Sequence, residues 1–156
     1  MTDTPRDTAG VVVPPPLLFA GFLAAGFLLD AIWPTALLGY PWRFWVGGLL
    51  VLPGLLLMTA GVSRFKRAGT NVPTYRPTTA LVTCGPYRYS RNPLYISLFL
   101  VYAGIAIVAD NLWILALAVP LFLVMRYGVV AREERYLERK FGQAYLDYKA
   151  AVRRWL

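Results

Sequence analysis

The sequence contains no histidine and only one cysteine, Cys84. Without histidine, a Ser-His-Asp triad, a histidine general base and histidine metal ligands are all excluded. A single cysteine cannot form an intramolecular disulfide, so cysteine usage does not indicate a redox compartment. The chemistry open to this chain is that of carboxylates, hydroxyls and basic side chains, and we expect no metal site.

Acidic residues are scarce: there are 8 Asp and Glu against 16 Lys and Arg, and no acidic residue lies between positions 31 and 109. Charged residues make up 15% of the chain and hydrophobic residues 58%, whereas soluble domains have about 25% and roughly 45–50%. Most of the basic residues form two clusters, in 64–91 and 126–154, and both clusters border long apolar runs. Cytoplasmic loops of membrane proteins have this arrangement. We therefore expect an integral membrane protein that contacts membrane lipids, and no nucleic-acid partner.

Four apolar runs predict an all-α membrane protein with four transmembrane helices in a single domain, residues 1–156. The spans are expected at about 17–33, 44–62, 93–109 and 112–130, each close to the length that crosses a bilayer. Pro53-Gly54 should kink the second span. Two spans separate the basic clusters, so both lie on one side, which the positive-inside rule makes cytoplasmic. The N- and C-termini are then also cytoplasmic, and we interpret the membrane as a bacterial inner membrane.

Two polar segments complete the chain. Residues 63–92 are basic and rich in Gly and Pro, which predicts a long structured loop rather than one helix. Residues 132–154 predict a cytoplasmic amphipathic helix with a break at Gly142, lying in the headgroup layer or capping the loop. Its apolar face is formed by Leu137, Phe141, Tyr145, Tyr148 and Val152.

The end of the loop, residues 85–95, is the densest group of candidate binding residues. Gly85-Pro86 predicts a turn, and the tyrosines and arginines that follow bring aromatic faces and positive charge together. Pro93 suits the first position of a helix, and Asn92 before it can cap the free amides, which makes an anion site. The alternative is that these residues are only interfacial anchors and a helix cap.

Glu133 and Glu134 are the second candidate group, because they follow the fourth span on the same side as the loop. Neighbouring residues on a helix point about 100° apart, so at most one glutamate should enter a shared site. The alternative is a solvated pair neutralised by Arg132, Arg135 or Lys140. A loop of Gly, Tyr and Arg facing a carboxylate could hold a zwitterionic ligand with an ammonium, a carboxylate and an extra positive centre.

The loop resembles the isoprenylcysteine carboxyl methyltransferase family, in Gly69-Thr70-Asn71-Val72 and in the run from Gly85-Pro86-Tyr87-Arg88 to Asn92-Pro93-Leu94-Tyr95. Glu133-Glu134-Arg135-Tyr136-Leu137 and Phe141-Gly142-Gln143-Ala144-Tyr145 are similar to the C-terminal signature of that family. The phospholipid N-methyltransferases look similar in both segments. The first two spans match only in being hydrophobic.

The resemblance implies a membrane methyltransferase that binds S-adenosylmethionine on the cytoplasmic side and methylates a lipid-like or small apolar acceptor. It implies that the cofactor's amino group binds Glu133 or Glu134. The other cofactor-binding residues that it implies are Gly85, Pro86, Tyr87, Arg88, Asn92, Pro93 and Tyr95. The catalytic residues that it implies are Arg88, Arg91, Asn92 and Tyr95.

The chain departs from the prenylcysteine enzymes at Asn92, where they typically have histidine. Asparagine cannot take a proton near neutral pH, so we expect an acceptor other than prenylcysteine. Methyl transfer from a sulfonium needs no acid, so alignment and desolvation can carry the catalysis. The acceptor group stays open between carboxylate, amine and thiol, and Arg88 or Arg91 could orient a substrate carboxylate or phosphate. The main alternative is a non-enzymatic membrane subunit whose basic loop binds anionic lipid headgroups.

Overall fold

The computed structural model describes residues 7–73 and 76–156, which are all-helical apart from turns and loops. The α-helices are α1 Pro15–Ile32, α2 Trp42–Arg67, α3 Pro93–Val108, α4 Leu112–Val124, α5 Ala131–Phe141 and α6 Gln143–Ala151. A 3-10 turn, Gly85–Arg88, precedes α3, and a π-helical segment, Met125–Val130, joins α4 to α5 without a break. The described residues contain no strand, which confirms the predicted all-α class.

Three helical stretches are long and apolar enough to cross a membrane: Pro15–Ile32, Trp42–Arg67 and Leu112–Phe141. The predicted third span is an apolar helix, but α3 has only 16 residues. At 1.5 Å per residue it is about 24 Å long, shorter than the roughly 30 Å hydrocarbon core of a typical bilayer. The predicted count of four spans is therefore not confirmed, whereas an integral membrane protein is.

A stripe of buried glycines, Gly47, Gly54 and Gly61, lets α3 pack closely along α2. A Cβ at Gly54 would lie 2.9 Å from the Cγ2 of Val101 on α3. Membrane helices use small residues in this way, because apolar side chains gain nothing by leaving lipid for one another. The glycines are seven residues apart, so they share one face of α2, which continues through Pro53. Close contact with α3 fixes where the residues at its first turn are placed.

The connections at the other end of the bundle are held by two aspartates. Asp30 accepts hydrogen bonds from the backbone N–H and the hydroxyl of Thr35, at 3.0 and 2.7 Å. Asp110, between α3 and α4, accepts from the N–H groups of Leu37 and Leu38 at 2.6 and 2.7 Å. These backbone hydrogen bonds, that of Leu38 first, lower the pKa of Asp110. Both aspartates therefore close loops of the polypeptide.

The C-terminal segment reverses direction at Gly142, which has a φ of +54°. Glycine adopts this left-handed conformation without the steric cost that a Cβ brings. The predicted break at Gly142 is confirmed. The two pieces are α5 and α6, but α5 is not separate from the fourth apolar run, because it continues directly from α4 through the π segment. The reversal brings α6 and the residues after it back towards the first turn of α3.

Candidate cofactor and acceptor site

A cavity of about 410 Å³ lies where the loop, the first turns of α1 and α3, and helices α5 and α6 meet. Its walls are mainly apolar, with Met58 and Val62 from α2, Leu81 from the loop, and Leu94 and Leu98 from α3. Six of the residues predicted from the sequence also line it: Tyr87, Arg91, Asn92, Tyr95, Glu133 and Glu134. The two sequence motifs, which are about forty positions apart in the chain, thus meet at one cavity. Convergence of this kind is typical of a ligand site.

The other four predicted residues do not line the cavity. Gly85 has a φ of +64°, and a Cβ there would lie 2.7 Å from Nε of Arg64. It is therefore required for the turn and for the close approach of that arginine. Pro86 lies in the 3-10 turn, Pro93 is buried as the first residue of α3, and Arg88 is exposed. Their predicted contacts with a cofactor stay predictions.

The loop is held over the cavity by side-chain hydrogen bonds to its own backbone. The Thr70 hydroxyl accepts from the N–H of Thr79 at 2.8 Å, and the Thr79 hydroxyl donates to the carbonyl of Gly69 at 3.1 Å. Asn71 donates from Nδ2 to the carbonyl of Pro77 at 2.9 Å. Ser, Thr and Asn side chains commonly stabilise irregular backbone in this way. The Gly69-Thr70-Asn71 motif therefore supports the fold of the loop.

Glu133 and Tyr95 form a hydrogen-bonded pair on the cavity wall. The Tyr95 hydroxyl donates to Oε1 of Glu133 at 2.5 Å. Among residues 7–73 and 76–156, no lysine or arginine forms an ion pair with Glu133. A carboxylate withdrawn from water without a cation is costly. The charge of Glu133 is therefore available to a cationic group of a ligand.

Glu134 is in the opposite situation, because it is buried and already neutralised by the protein. Arg154 binds it through two hydrogen bonds, Nε to Oε1 at 2.9 Å and Nη2 to Oε2 at 2.7 Å. Nη1 of Arg91 lies 3.2 Å from the same Oε1. The prediction that only one glutamate would border the site is wrong, since both line the cavity. The reason is that Glu134 reaches the wall together with the arginines that it binds.

Arg91 is a buried cation with an incomplete set of partners. Its side chain is only 8% exposed, and its Nη1 donates to the Tyr145 hydroxyl at 3.4 Å. Its Nε is buried and has no hydrogen-bond partner among the described residues. An unsatisfied buried donor costs about 1–3 kcal/mol. An acidic group of a ligand in the cavity would remove this cost.

Asn92 occupies the position before α3, but its side chain does not cap the helix. Nδ2 of Asn92 instead donates to the carbonyl of Arg154 at 2.9 Å. The predicted cap is therefore wrong, because the C-terminal tail competes for this side chain. Arg154 was not predicted from the sequence at all. The only signal for it was the basic cluster at the end of the chain, which does not separate it from Arg153.

Three buried tyrosines complete the wall next to Arg91. The Tyr148 hydroxyl donates to the carbonyl of Tyr87 at 2.7 Å, and the Tyr145 and Tyr148 rings are 6.2 Å apart. Burial raises the pKa of Tyr145 to about 12 and also raises the pKa of Tyr87 and of Tyr148. All three stay neutral at physiological pH, and their π faces attract cations.

The sequence profile of the phospholipid methyltransferase family matches residues 42–144, from the start of α2 into α6. This protein belongs to the phospholipid methyltransferase family. The match confirms the resemblance found in the sequence and extends it to the second apolar run, whose hydrophobicity alone resembles the prenylcysteine enzymes. It includes Tyr95, Arg91 and both glutamates, whereas Arg154 lies beyond it. The members of this family are in general membrane methyltransferases that use S-adenosylmethionine.

Three curated proteins are similar to parts of this chain. The nickel-cobalt-cadmium resistance protein NccN of Alcaligenes xylosoxydans xylosoxydans is 32% identical over 100 residues, 64% of this chain and 46% of that protein. The cobalt-zinc-cadmium resistance protein CzcN of Cupriavidus metallidurans is 32% identical over 102 residues, 64% and 45% of the two chains. An uncharacterized protein of Haemophilus influenzae is 47% identical over 68 residues, 40% of this chain and 100% of its own length. This chain spans about half the length of the two resistance proteins.

Proposed function

We propose that this methyltransferase takes a methyl group from S-adenosylmethionine and transfers it to a lipid-like or small apolar acceptor at the cavity. The observation that supports this most strongly is a carboxylate without a cation and an arginine with an unsatisfied donor on the same mainly apolar wall. Glu133 has no cation among the described residues, and Arg91 has a buried Nε without an acceptor. A ligand that carries both an ammonium and a carboxylate satisfies both groups at once.

The residues divide between the parts of such a ligand. The amino group binds Glu133, with Tyr95 holding that carboxylate in place through its 2.5 Å hydrogen bond. The carboxylate binds Arg91. The neutral faces of Tyr87 and Tyr148, which line the cavity, would attract the sulfonium without a second charge. Glu134 forms an ion pair with Arg91. Of the two glutamates, Glu133 is therefore the one that we propose binds the cofactor.

The protein contributes alignment and exclusion of water to the reaction. When bound, S-adenosylmethionine supplies a methyl group on a sulfonium whose leaving sulfide is neutral, so no residue has to protonate it. Met58, Leu94 and Leu98 form an apolar part of the cavity wall, which would exclude water from a bound cofactor and acceptor. Arg91 lines the cavity and Arg88 is exposed. We therefore assign the orientation of acidic groups to Arg91.

The first test is calorimetric titration of the detergent-purified protein with S-adenosylmethionine and with its demethylated product, S-adenosylhomocysteine. We expect saturable binding of both in the micromolar range. Transfer of a labelled methyl group into extracted lipids then identifies the class of acceptor. Absence of binding both in detergent and in lipid nanodiscs would contradict the proposed cofactor.

The second candidate function is binding of anionic lipid headgroups without chemistry. The observation that favours it is the exposure of Lys66, Arg67 and Arg88 on the polar side of the loop. Such binding weakens steeply as salt screens the charges. If vesicle binding is salt-sensitive while no methyl transfer occurs with any lipid fraction, this function replaces the enzymatic one.

We draw no metal-binding role from the names of the two resistance proteins. The sequence has no histidine, and the described residues bring together no group of three or more Cys, Asp or Glu that could hold a metal ion.

We also propose that residues 1–156 form one domain with four spans and with both termini in the cytoplasm of a bacterial cell. Cys84 is exposed in the loop and is the only cysteine. A membrane-impermeant thiol reagent should label it in inverted inner-membrane vesicles and not from outside intact spheroplasts. The matched control is Leu112→Cys in a Cys84→Ser background, because Leu112 is exposed and only α3 lies between it and the loop that holds Cys84. Labelling of both positions from the same side would contradict the four-span topology.

A further inference from the structure

The five residues after α6 form a tail that returns to the segment before α3. The carbonyl of Arg153 accepts from the backbone N–H of Arg91 at 2.9 Å. The carbonyl of Arg154 accepts from Nδ2 of Asn92 at 2.9 Å and from the Ser90 hydroxyl at 3.3 Å. Hydrogen bonds from three consecutive residues therefore fix the tail beside the cavity.

The tail is also anchored to helices α4 and α5. Trp155 packs against Phe122 of α4, with ring centroids 5.4 Å apart. The guanidinium of Arg154 binds both oxygens of Glu134 on α5. Bidentate pairs of this kind fix geometry as well as charge. Arg154 thus connects the first turn of α3 with α5 at the point where Arg91 and Glu134 meet.

The charges in this cluster show what Arg154 does there. Arg91 and Arg154 together carry two positive charges against the single negative charge of Glu134, so the cluster has a net charge of +1. Without Arg154 the remaining pair, Arg91 and Glu134, is neutral. Glu134 would then engage Arg91 alone, and the 3.2 Å contact between them would compete with any acidic ligand.

We propose that Arg154 is a positioning residue of the site, which neutralises Glu134 and so keeps Arg91 available to an acidic group of the ligand. This rests on the proposed function. The acidic group is either the carboxylate of S-adenosylmethionine or a phosphate or carboxylate of the acceptor. Arg154 itself does not line the cavity, so it acts through Glu134 and Arg91.

The test compares Arg154→Gln with Arg153→Gln in the full-length protein. Both variants remove one positive charge, but the Arg153 side chain is exposed. S-adenosylmethionine and its decarboxylated analogue are titrated into each variant by calorimetry. The KM for phosphatidylethanolamine–phosphatidylglycerol vesicles is measured alongside.

If the acidic group belongs to the cofactor, Arg154→Gln weakens binding of S-adenosylmethionine by about tenfold or more and leaves binding of the decarboxylated analogue unchanged. If it belongs to the acceptor, both cofactor affinities are unchanged and the KM for vesicles rises. Arg153→Gln behaves as wild type in either case. Equal loss of both cofactor forms, or no difference between the two variants, would overturn the proposal.

A rescue experiment separates positioning from a general structural role. In the double variant Glu134→Gln/Arg154→Gln, the competing charge is gone, so Arg91 is free again. We expect its affinity for the acidic ligand to return to within a few-fold of wild type. If Arg154→Gln does not fold, the double variant and Arg154→Lys carry the test, and weak binding by both in folded protein would refute the proposal.

The failures of the two proposals are distinguishable. If wild-type protein does not bind S-adenosylmethionine and does not methylate the vesicles, the proposed function is wrong. If wild type binds it and Arg154→Gln is indistinguishable from Arg153→Gln in every measurement, only the role of Arg154 is wrong.

Discussion

Replacing Glu133 by glutamine should weaken binding of S-adenosylmethionine without harming the fold. Glutamine has almost the shape of glutamate, and its carbonyl oxygen can still accept the hydrogen bond from Tyr95. The substitution therefore removes the negative charge while it keeps the shape and the hydrogen bond of the side chain. Since no basic residue among those described forms an ion pair with that charge, its removal leaves no protein cation without a partner.

The expected loss follows from the difference between charged and neutral hydrogen bonds. A hydrogen bond to a charged group contributes about 1.5–3 kcal/mol, and a neutral one about 0.5–1.5 kcal/mol. The difference of about 1–2 kcal/mol corresponds to a roughly 5- to 30-fold increase in Kd. The unfolding temperature should stay the same or rise, because an uncompensated carboxylate no longer has to be withdrawn from water.

Glu134→Gln is the matched control, and the expected pattern is reversed. This substitution leaves Arg91 and Arg154 without their common anion, which destabilises the protein. Breaking a buried ion pair costs about 3–5 kcal/mol. We expect the lower end of that range, because the Arg154 side chain is 31% exposed. Binding by the folded fraction should stay within a few-fold of wild type.

Calorimetry gives the affinities, and circular dichroism during heating in detergent gives the stabilities. The reasoning is refuted if Glu133→Gln binds S-adenosylmethionine as wild type does while folded Glu134→Gln does not bind it. The two glutamates would then have exchanged roles. Loss of binding in both folded variants would instead show that the total charge of the wall decides affinity.

The remaining predictions concern Arg91, the contact between α2 and α3, and the connection between α3 and α4 that contains Asp110. Arg91→Gln should weaken binding of S-adenosylmethionine by about tenfold or more, whereas Arg88→Gln, at an exposed position, should leave it unchanged. Equal effects of the two substitutions would contradict the assignment of the cofactor carboxylate to Arg91. Gly54→Val should lower the free energy of unfolding by about 1–3 kcal/mol through overpacking, while Gly48→Val, with nothing within 4 Å of its Cβ, should be neutral in the same thermal assay. A fully stable Gly54→Val protein would contradict the close helix contact. The lowered pKa of Asp110 means that its stabilisation is complete above the unfolded pKa of about 3.9 and is lost as pH falls through the folded value. Wild type should therefore lose more stability on acidification than Asp110→Asn, and parallel pH curves would contradict this.

The helices were largely predictable because their apolar runs are long, but their ends were not. The second run continues to Arg67 and the fourth to Phe141, past the points where polar residues begin. Backbone hydrogen bonds of a helix do not depend on the polarity of the side chains, so a change from apolar to polar sequence marks the membrane boundary rather than the helix end. The short α3 was predictable in position, since Asp110-Asn111 ends it, and its close packing on glycines was not.

The site was half predictable for a different reason. Tyr87, Arg91 and Tyr95 are near one another in sequence, and the motif that contains them also aligns with known families. The contact between Arg154 and Glu134 joins residues 20 positions apart and requires the reversal at Gly142. Nothing in the sequence distinguishes Arg154 from Arg153, because only the direction of the extended tail decides which side chain turns inward.

The structure also bears on the acceptor through Asn92. A histidine at this position could take a proton, whereas the Asn92 side chain donates to the carbonyl of Arg154 and is occupied in holding the tail. Arg91 is permanently charged, and Glu133 is proposed to bind the cofactor's amino group. No side chain proposed for the site is then left to remove a proton from the acceptor. A carboxylate needs no such step, whereas an amine or a thiol has to arrive deprotonated.

This reasoning predicts how kcat/KM depends on pH once an acceptor is in hand. For an amine or thiol acceptor, the rate should rise with pH until the pKa of the acceptor itself, and it should shift when an analogue of different pKa is used. For a carboxylate, the rate should be flat near neutral pH. An inflection that stays fixed when the acceptor pKa changes, and that disappears in Asn92→Ala or Glu133→Gln, would show that the protein supplies a base and that the assignment of Glu133 to the cofactor is incomplete.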